Sequence, residues 1–322
     1  MRTRTMGGRG DLAGTIRSDP SLSASTFSHG QSVLTDEQQT KFRTQGYLLV
    51  PDALDSIGLE RMHAAYEKIR RDTEPAWRRA IADRSGKGVY GHGAAAHVIT
   101  DLYRYDPLFL DLANNPRIIP ILEQVVGPDL QLTEAIGHNH PAGTPAHIEW
   151  HRDWPPWSHP TQILKAKVFY YLEEITEDMG AFSVVPGSHT RPDDPPGSTN
   201  SFSTEASAVA APYTDAQLEA MPAMQKLGAP AGTAVIWNVA LWHTATANTA
   251  NRDRKMLAYG YTHFWVKQWE DRTPPEEIIA WADTPQKRQL MGIHAVQGRA
   301  AWDRQDVPYL PKHKAIADAK PF

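Results

Sequence analysis

The chain has 322 residues, long for a single domain of about 150 but within reach of one large β-rich unit. Hydrophobic residues make up 41% and charged residues 22%, enough for an ordinary core, and the net charge of -4 offers no electrostatic footprint for nucleic acid or an anionic membrane. No stretch reaches 18 uninterrupted apolar residues, and the absence of cysteine removes disulfides, thiol nucleophiles and thiolate metal sites, leaving only nitrogen and oxygen as metal donors.

Residues 1–30 are rich in Gly, Ser, Thr and Arg, lack hydrophobic periodicity, and read as a disordered arm. They contain no 7–15-residue apolar stretch of a secretory signal, so the expected location is the cytoplasm. Order is expected from Thr35, where Thr35-Asp36-Glu37-Gln38 forms a capping box for a short helix that Gly46 ends. Tyr47 to Pro51 reads as a buried strand. Ser56 is expected to cap a longer helix with Leu59, Met62, Tyr66 and Ile69 on one face. Asn115-Pro116 is expected to start another helix, closed by Gly127. Short β-prone runs then follow one another: 130–137, 146–153, 164–172, 181–186, 233–242 and 256–265. Gly, Pro and Asn turns separate them, which argues for a sandwich or barrel rather than a βαβ sheet. The Pro/Ser/Asp/Ala-rich interruption 190–229 reads as a lid or binding loop, and a last helix is expected near 275–282. Residues 31–322 read as one domain.

With 14 His and 10 Trp, chemistry is expected around these two residue types. His147, Glu149, His151 and Asp153 occupy every second position and would share one face of a strand. Neighbours on that face lie about 6.6 Å apart and all four span about 20 Å, so one ion takes one pair, and spacing alone leaves His147/Glu149 and His151/Asp153 equal. A later β-prone run delivers His243. Two imidazoles and one carboxylate leave three adjacent positions open on a metal, an arrangement suited to non-haem Fe(II). Trp154 and Trp157 flank Pro155-Pro156 and are expected to wall a pocket for a small-molecule substrate, whereas Trp150, Trp237 and Trp242 crowd the same two strands.

Taken together, LTDEQQTKFRTQGYLLVPDAL near the start, WHRDW, GAFSVVPGSH and the block from His243 to Arg254 resemble the phytanoyl-CoA dioxygenase family of Fe(II)/2-oxoglutarate-dependent oxygenases. The resemblance covers residues 34–265 and implies a mainly β fold with flanking helices, a double-stranded β-helix of the cupin-like, jelly-roll kind. It makes His151, Asp153 and His243 the iron ligands and leaves His147 and Glu149 as a local pair. Arg254, eleven residues after His243, becomes the anchor of the distal carboxylate of 2-oxoglutarate, a position Arg252 does not meet. Phe169 and Thr133 fall where the family places groups beside the co-substrate, and Asn248 matches an Asn five residues after the distal His. The chain departs from the family at Arg152, commonly Gln, and at Ala245, commonly Ser, where Thr246 is the substitute hydroxyl. His189, in the recurrent PGSH turn, is expected to support the fold, and His138 and His140 flank the end of an earlier strand.

The implied activity is oxidation, usually hydroxylation, of a small organic molecule by Fe(II), 2-oxoglutarate and O2, with no catalytic side chain beyond the metal ligands, and a setting in specialised metabolism. Nucleic-acid and membrane partners are not expected, and the sequence does not set the oligomeric state. A Zn-dependent hydrolase on the same His/Asp/His set would not need Arg254, and a non-catalytic jelly-roll binding protein would not need all three ligands. A halogenase lacks the ligand carboxylate, which Asp153 supplies here.

Overall fold

The computed structural model describes residues 33–82, 96–146, 148–153, 155, 159, 162–196, 198, 214–266 and 276–293. Helix α1 (Asp36–Gln45) begins on a closed capping box: the Thr35 hydroxyl accepts from the Gln38 N–H, and the Gln38 side chain accepts from the Thr35 N–H. Gly46 ends it in the left-handed region at φ 88°, and the chain passes directly into β1 (Tyr47–Val50). Helix α2 (Ser56–Ala82) buries Met62, Tyr66 and Ile69 and continues well beyond them, with Pro75 inside it. Its cap is Asp55 rather than the expected Ser56. The Asp55 carboxylate accepts from the Gly58 N–H at 2.7 Å, which makes Ser56 the first helical residue.

The short strand β2 (His97–Ile99) and helix α3 (Leu108–Ala113) follow, then α4 (Ile119–Val125). Asn115 does not start α4 itself. Its side chain accepts from the Arg117 N–H and holds a separate turn ahead of the helix. Strand β3 (Leu130–His140) outruns the expected segment because its far end pairs with a long partner, so His138 and His140 lie within it. The remaining strands are β4 (Ile148–His151), β5 (Lys165–Tyr171), β6 (Phe182–Val184), β7 (Gln225–Lys226), β8 (Ala234–Asn238), β9 (His243–Ala245) and β10 (Arg254–His263). They form two antiparallel sheets, one in the order β1-β8-β5-β10-β3-β2 and one in the order β4-β9-β6-β7.

The run expected as one strand over 233–242 divides between the two sheets. The Asn238 side chain accepts from the Ala240 N–H, and the Leu241 N–H donates to the Asn238 carbonyl. This turn takes the chain out of β8 in the larger sheet and into β9 in the smaller one. Inside the insertion, α5 (Asp215–Glu219) and β7 are regular elements; residues 197 and 199–213 of it, and the arm 1–30, lie outside the described residues. Helices α6 (Glu276–Trp281) and α7 (Pro285–Leu290) come last.

The strands of the larger sheet alternate between two cores, as the pleat requires. On β10, Leu257, Tyr259 and Tyr261 pack with α2, α3 and α4, whereas Met256 and Ala258 face the smaller sheet with Phe169, Phe182 and Trp237. The Tyr259 and Tyr261 hydroxyls donate to the carbonyls of Phe109 and Ala113, fixing α3 to the sheet for about 1 kcal/mol per bond. The architecture is a jelly roll whose larger sheet is covered by helices on its outer face. No helix among the described residues is long and apolar enough to cross a membrane.

A Cβ at Gly46 would lie 2.6 Å from His189 Nδ1 and 2.9 Å from Leu241 Cδ1, in addition to the strain of its left-handed conformation. Gly46→Ala is therefore expected to lower stability by at least about 2 kcal/mol in urea unfolding. A variant as stable as the parent would show that this turn does not constrain the sheet behind it.

Candidate metal centre

Pairing of β4 with β9 sets His151 opposite His243, with ring centroids 4.0 Å apart. Asp153 lies just past the end of β4, and its N–H donates to the Val239 carbonyl, which draws this segment against the crossover between the sheets. His151, Asp153 and His243 each offer a ligand atom, and these atoms lie within 4.8 Å of one another. One carboxylate oxygen, Asp153 Oδ1, is 3.5 Å from His151 Nε2 and 3.8 Å from His243 Nε2. The opposite ring nitrogens are committed: His151 Nδ1 lies 2.8 Å from the Glu149 carbonyl and His243 Nδ1 2.9 Å from the Leu241 carbonyl. A carbonyl only accepts, so each Nδ1 carries a proton, and Nε2 is the nitrogen turned toward the centre.

The protonation states suit a metal. Burial and the neighbouring His151 push His243 down to about 3, so it is neutral at physiological pH. Burial alone would raise Asp153, but the Lys167 ammonium and the two imidazoles outweigh it and hold this carboxyl well below the usual range. Lys167 Nζ is 2.6 Å from Asp153 Oδ2 and 3.3 Å from Glu134 Oε1, and Lys165 Nζ is 2.6 Å from the same Glu134 oxygen. Burial would lower Lys167, yet these carboxylates raise it. Lys167 and Glu134 were not among the sequence-predicted site residues. The available signal was period two on β5: Lys165 and Lys167 share the face of Phe169 in an otherwise apolar strand.

Farther along the same inner face, Arg254 begins β10 with 1% of its surface exposed. Its Nη1 donates to the Gly180 carbonyl, whereas Nε has no hydrogen-bond partner and no carboxylate pairs with it among the described residues. Burial lowers its pKa to about 10, which still leaves it charged. The adjacent Asp253 is engaged elsewhere, accepting from the Asn139 side chain and the Ala142 N–H. Arg252 is half-exposed and 3.8 Å from Glu174. Thr246 is fully buried with an unpartnered hydroxyl, and the Thr133 hydroxyl is likewise buried and unpartnered. Phe169 packs edge-on against Phe182 and Trp237, which in turn flanks His243 at 4.4 Å. Asn248 knots the turn between β9 and β10: its Nδ2 donates to the carbonyls of His140 and Arg252.

Among the other sequence-predicted residues, His147, Trp154 and Trp157 lie outside the described residues. The Glu149 side chain is not part of the ligand group, although its carbonyl orients His151. Trp150 and Trp242 pack outside the smaller sheet with Leu218 of α5, and Trp150 Nε1 donates to the Leu218 carbonyl. The return limb of the insertion is thus packed behind the ligand strand. His189 supports the fold, with Nε2 3.0 Å from the Arg43 carbonyl, and His140 Nε2 lies 3.2 Å from the Pro145 carbonyl. Arg152, between the two ligand positions of β4, is 2% exposed. It donates to the carbonyls of Ser188, Arg191 and Asp193, with Nε 3.5 Å from Asp194.

Comparison with known proteins identifies a family and a fold. The family described as phytanoyl-CoA dioxygenase (PhyH) matches residues 42–256. An uncharacterized protein of Mycobacterium tuberculosis is 25% identical over 271 residues, covering 81% of this chain and 87% of its own length. L-proline trans-4-hydroxylase of Streptomyces griseoviridis is 21% identical over 238 residues, covering 70% of this chain and 85% of the hydroxylase. In fold, the chain is similar to HygX from Streptomyces hygroscopicus, solved with nickel and 2-oxoglutarate bound, at a TM-score of 0.56 and 20% identity over 74% of this chain and 90% of HygX.

Arg152→Ala removes a buried charged donor from three carbonyls at the start of the insertion. It is expected to cost about 1.5–3 kcal/mol of stability and to speed proteolysis around residues 188–194. Unchanged stability and protease resistance would mean that this guanidinium does not tie the segment to β4.

Proposed function

The chain belongs to the phytanoyl-CoA dioxygenase family of Fe(II)/2-oxoglutarate-dependent oxygenases, and from that premise we propose that His151, Asp153 and His243 hold the iron while Arg254 anchors 2-oxoglutarate for the hydroxylation of a small organic substrate. The observation that carries this reading is the buried guanidinium of Arg254. A charged group with 1% exposure, one carbonyl acceptor and no acid beside it among the described residues is costly unless an anion completes it. A planar fork with a free Nε suits one end of a dicarboxylate.

The donor set fits iron equally well. Two imidazoles with Nε2 turned inward and one ionised carboxylate form a nitrogen/oxygen site in a chain without thiolates. Bound together, iron and 2-oxoglutarate supply the activation of O2, with oxidative decarboxylation of the co-substrate to succinate and CO2. The protein's part is placement. The carbonyls of Glu149 and Leu241 fix the imidazole planes, and Val239 fixes the backbone of Asp153. Phe169, Phe182 and Trp237 keep water from the inner wall. Thr246 and Thr133 offer buried hydroxyls to the polar atoms of the co-substrate.

The small-molecule substrate is supported by relatives: HygX has also been solved with hygromycin B, and another relative is a proline hydroxylase. Trp154 and Trp157 remain the proposed substrate wall, with the 190–229 insertion as its cover, and a role in specialised metabolism fits the company of these relatives. A hydrolase at the same three ligands gives no use to Arg254.

Two outcomes test the assignment. His151→Ala, Asp153→Ala and His243→Ala should each abolish the visible charge-transfer band of the anaerobic Fe(II)–2-oxoglutarate complex, and a band that survives Asp153→Ala would move the carboxylate ligand elsewhere. Arg254→Met should weaken 2-oxoglutarate binding by about 2–5 kcal/mol in the same titration, as expected for truncating one partner of a buried charge pair. Arg252→Met should leave it unchanged, and equal losses in the two variants would overturn the anchor.

A further inference from the structure

The two oxygens of Asp153 have different surroundings. Oδ1 faces the imidazoles of His151 and His243, at 3.5 and 3.8 Å. Oδ2 faces the other sheet and meets Lys167 Nζ at 2.6 Å. Lys167 is held in turn: Glu134 Oε1 is 3.3 Å from its ammonium, and Lys165 lies 2.6 Å behind that oxygen. All four side chains are largely buried, with exposures of 13–21%.

The backbone makes room for this chain of charges. The register between β3 and β10 shifts between Gly260 and Tyr261, a bulge that brings both Thr133 and Glu134 against Gly260. A Cβ at Gly260 would stand 2.4 Å from Glu134 Oε1 and 2.6 Å from Thr133 Oγ1. Directly across β10, Gly260 is paired with Lys167. Glycine at this one position lets a carboxylate reach the ammonium that reaches Asp153.

Resting on the iron assignment above, we propose that Lys167 is a positioning residue that restricts Asp153 to a single donor oxygen. A carboxylate can grip a divalent ion through one oxygen or both. Three protein donors leave three positions for the two oxygens of 2-oxoglutarate and for O2; a second Asp153 oxygen would take one of them. The Lys167 ammonium occupies the lone pairs of Oδ2 and pulls that oxygen toward the larger sheet, away from the imidazoles. Glu134 and Lys165 prevent Lys167 from swinging away, which explains why four charges are retained in an interior where ion pairs bring little net stability.

This arrangement separates two affinities that a merely structural ion pair would not. Lys167→Met keeps the length of the side chain and removes its charge. In anaerobic titrations, the variant is expected to bind Fe(II) as well as the parent, while its 2-oxoglutarate affinity, followed by the charge-transfer band, falls about tenfold or more with a shifted band maximum. Because the chain has no cysteine, Lys167→Cys can be alkylated selectively with 2-bromoethylamine, which rebuilds an ammonium at nearly the same reach. That product should recover the parent's affinity and band position, and this rescue keeps the test decisive if Lys167→Met folds poorly. Parental 2-oxoglutarate affinity in Lys167→Met would overturn the proposal, as would a loss of Fe(II) binding equal to the loss of 2-oxoglutarate binding. Absence of any band in the parent protein would instead overturn the iron assignment itself.

Discussion

The ion pair between Asp153 and Lys167 joins the two sheets at the candidate metal centre. Asp153 belongs to the segment leaving β4 in the smaller sheet, and Lys167 belongs to β5 in the larger one. Around this contact the interior divides into polar and apolar portions. Toward the bulge at Gly260 it is polar, with Glu134 and Lys165; toward Ala258 it becomes aromatic, with Phe169, Phe182 and Trp237. Without the aromatic wall, solvent would reduce the charge contacts to the fraction of a kcal/mol typical of exposed pairs. Without the charge contacts, nothing on the larger sheet would hold Asp153 Oδ2 away from the imidazoles.

Arg254 illustrates the same constraint at the other end of the inner face. Its burial follows from the register, because position 254 lies in phase with Met256 and Ala258, which face the smaller sheet. The pleat therefore carries its guanidinium inward whether or not an anion is present. The surrounding chain supplies one carbonyl, from Gly180, and directs Asp253 away to Asn139 and Ala142. Among the described residues, no carboxylate completes this guanidinium.

Much of this was legible in the sequence, for identifiable reasons. The capping box at Thr35, the αL glycine at position 46 and the strand runs are local signals, set by neighbours within four residues. The candidate ligand group was legible because His151 and Asp153 sit two apart along the chain and the resemblance supplied His243 and Arg254; the structure brings the first three within 4.8 Å of one another. Features that depend on distant partners were not legible. The division of 233–242 between two sheets turns on the Asn238 side chain, a single residue in a continuous β-prone run. The ends of β3 and β4 follow from what their partners can pair with. Lys167 and Glu134 are separated by 33 positions, and their contact exists only because a bulge in β3 meets Gly260. No local pattern in the sequence encodes that meeting.

The departure at position 152 becomes intelligible once the two faces of β4 are separated. His151 and Asp153 point their donors to the inside, and the residue between them must point out, toward the chain that follows β6. A side chain at that position cannot take part in the metal set, but it lies within reach of the carbonyls of Ser188, Arg191 and Asp193. Arginine there joins the ligand strand to the start of the insertion, and Trp150, on the same outer side, joins it through Leu218 to α5 at the insertion's return. Both limbs of the insertion are thereby fastened to the strand that carries His151.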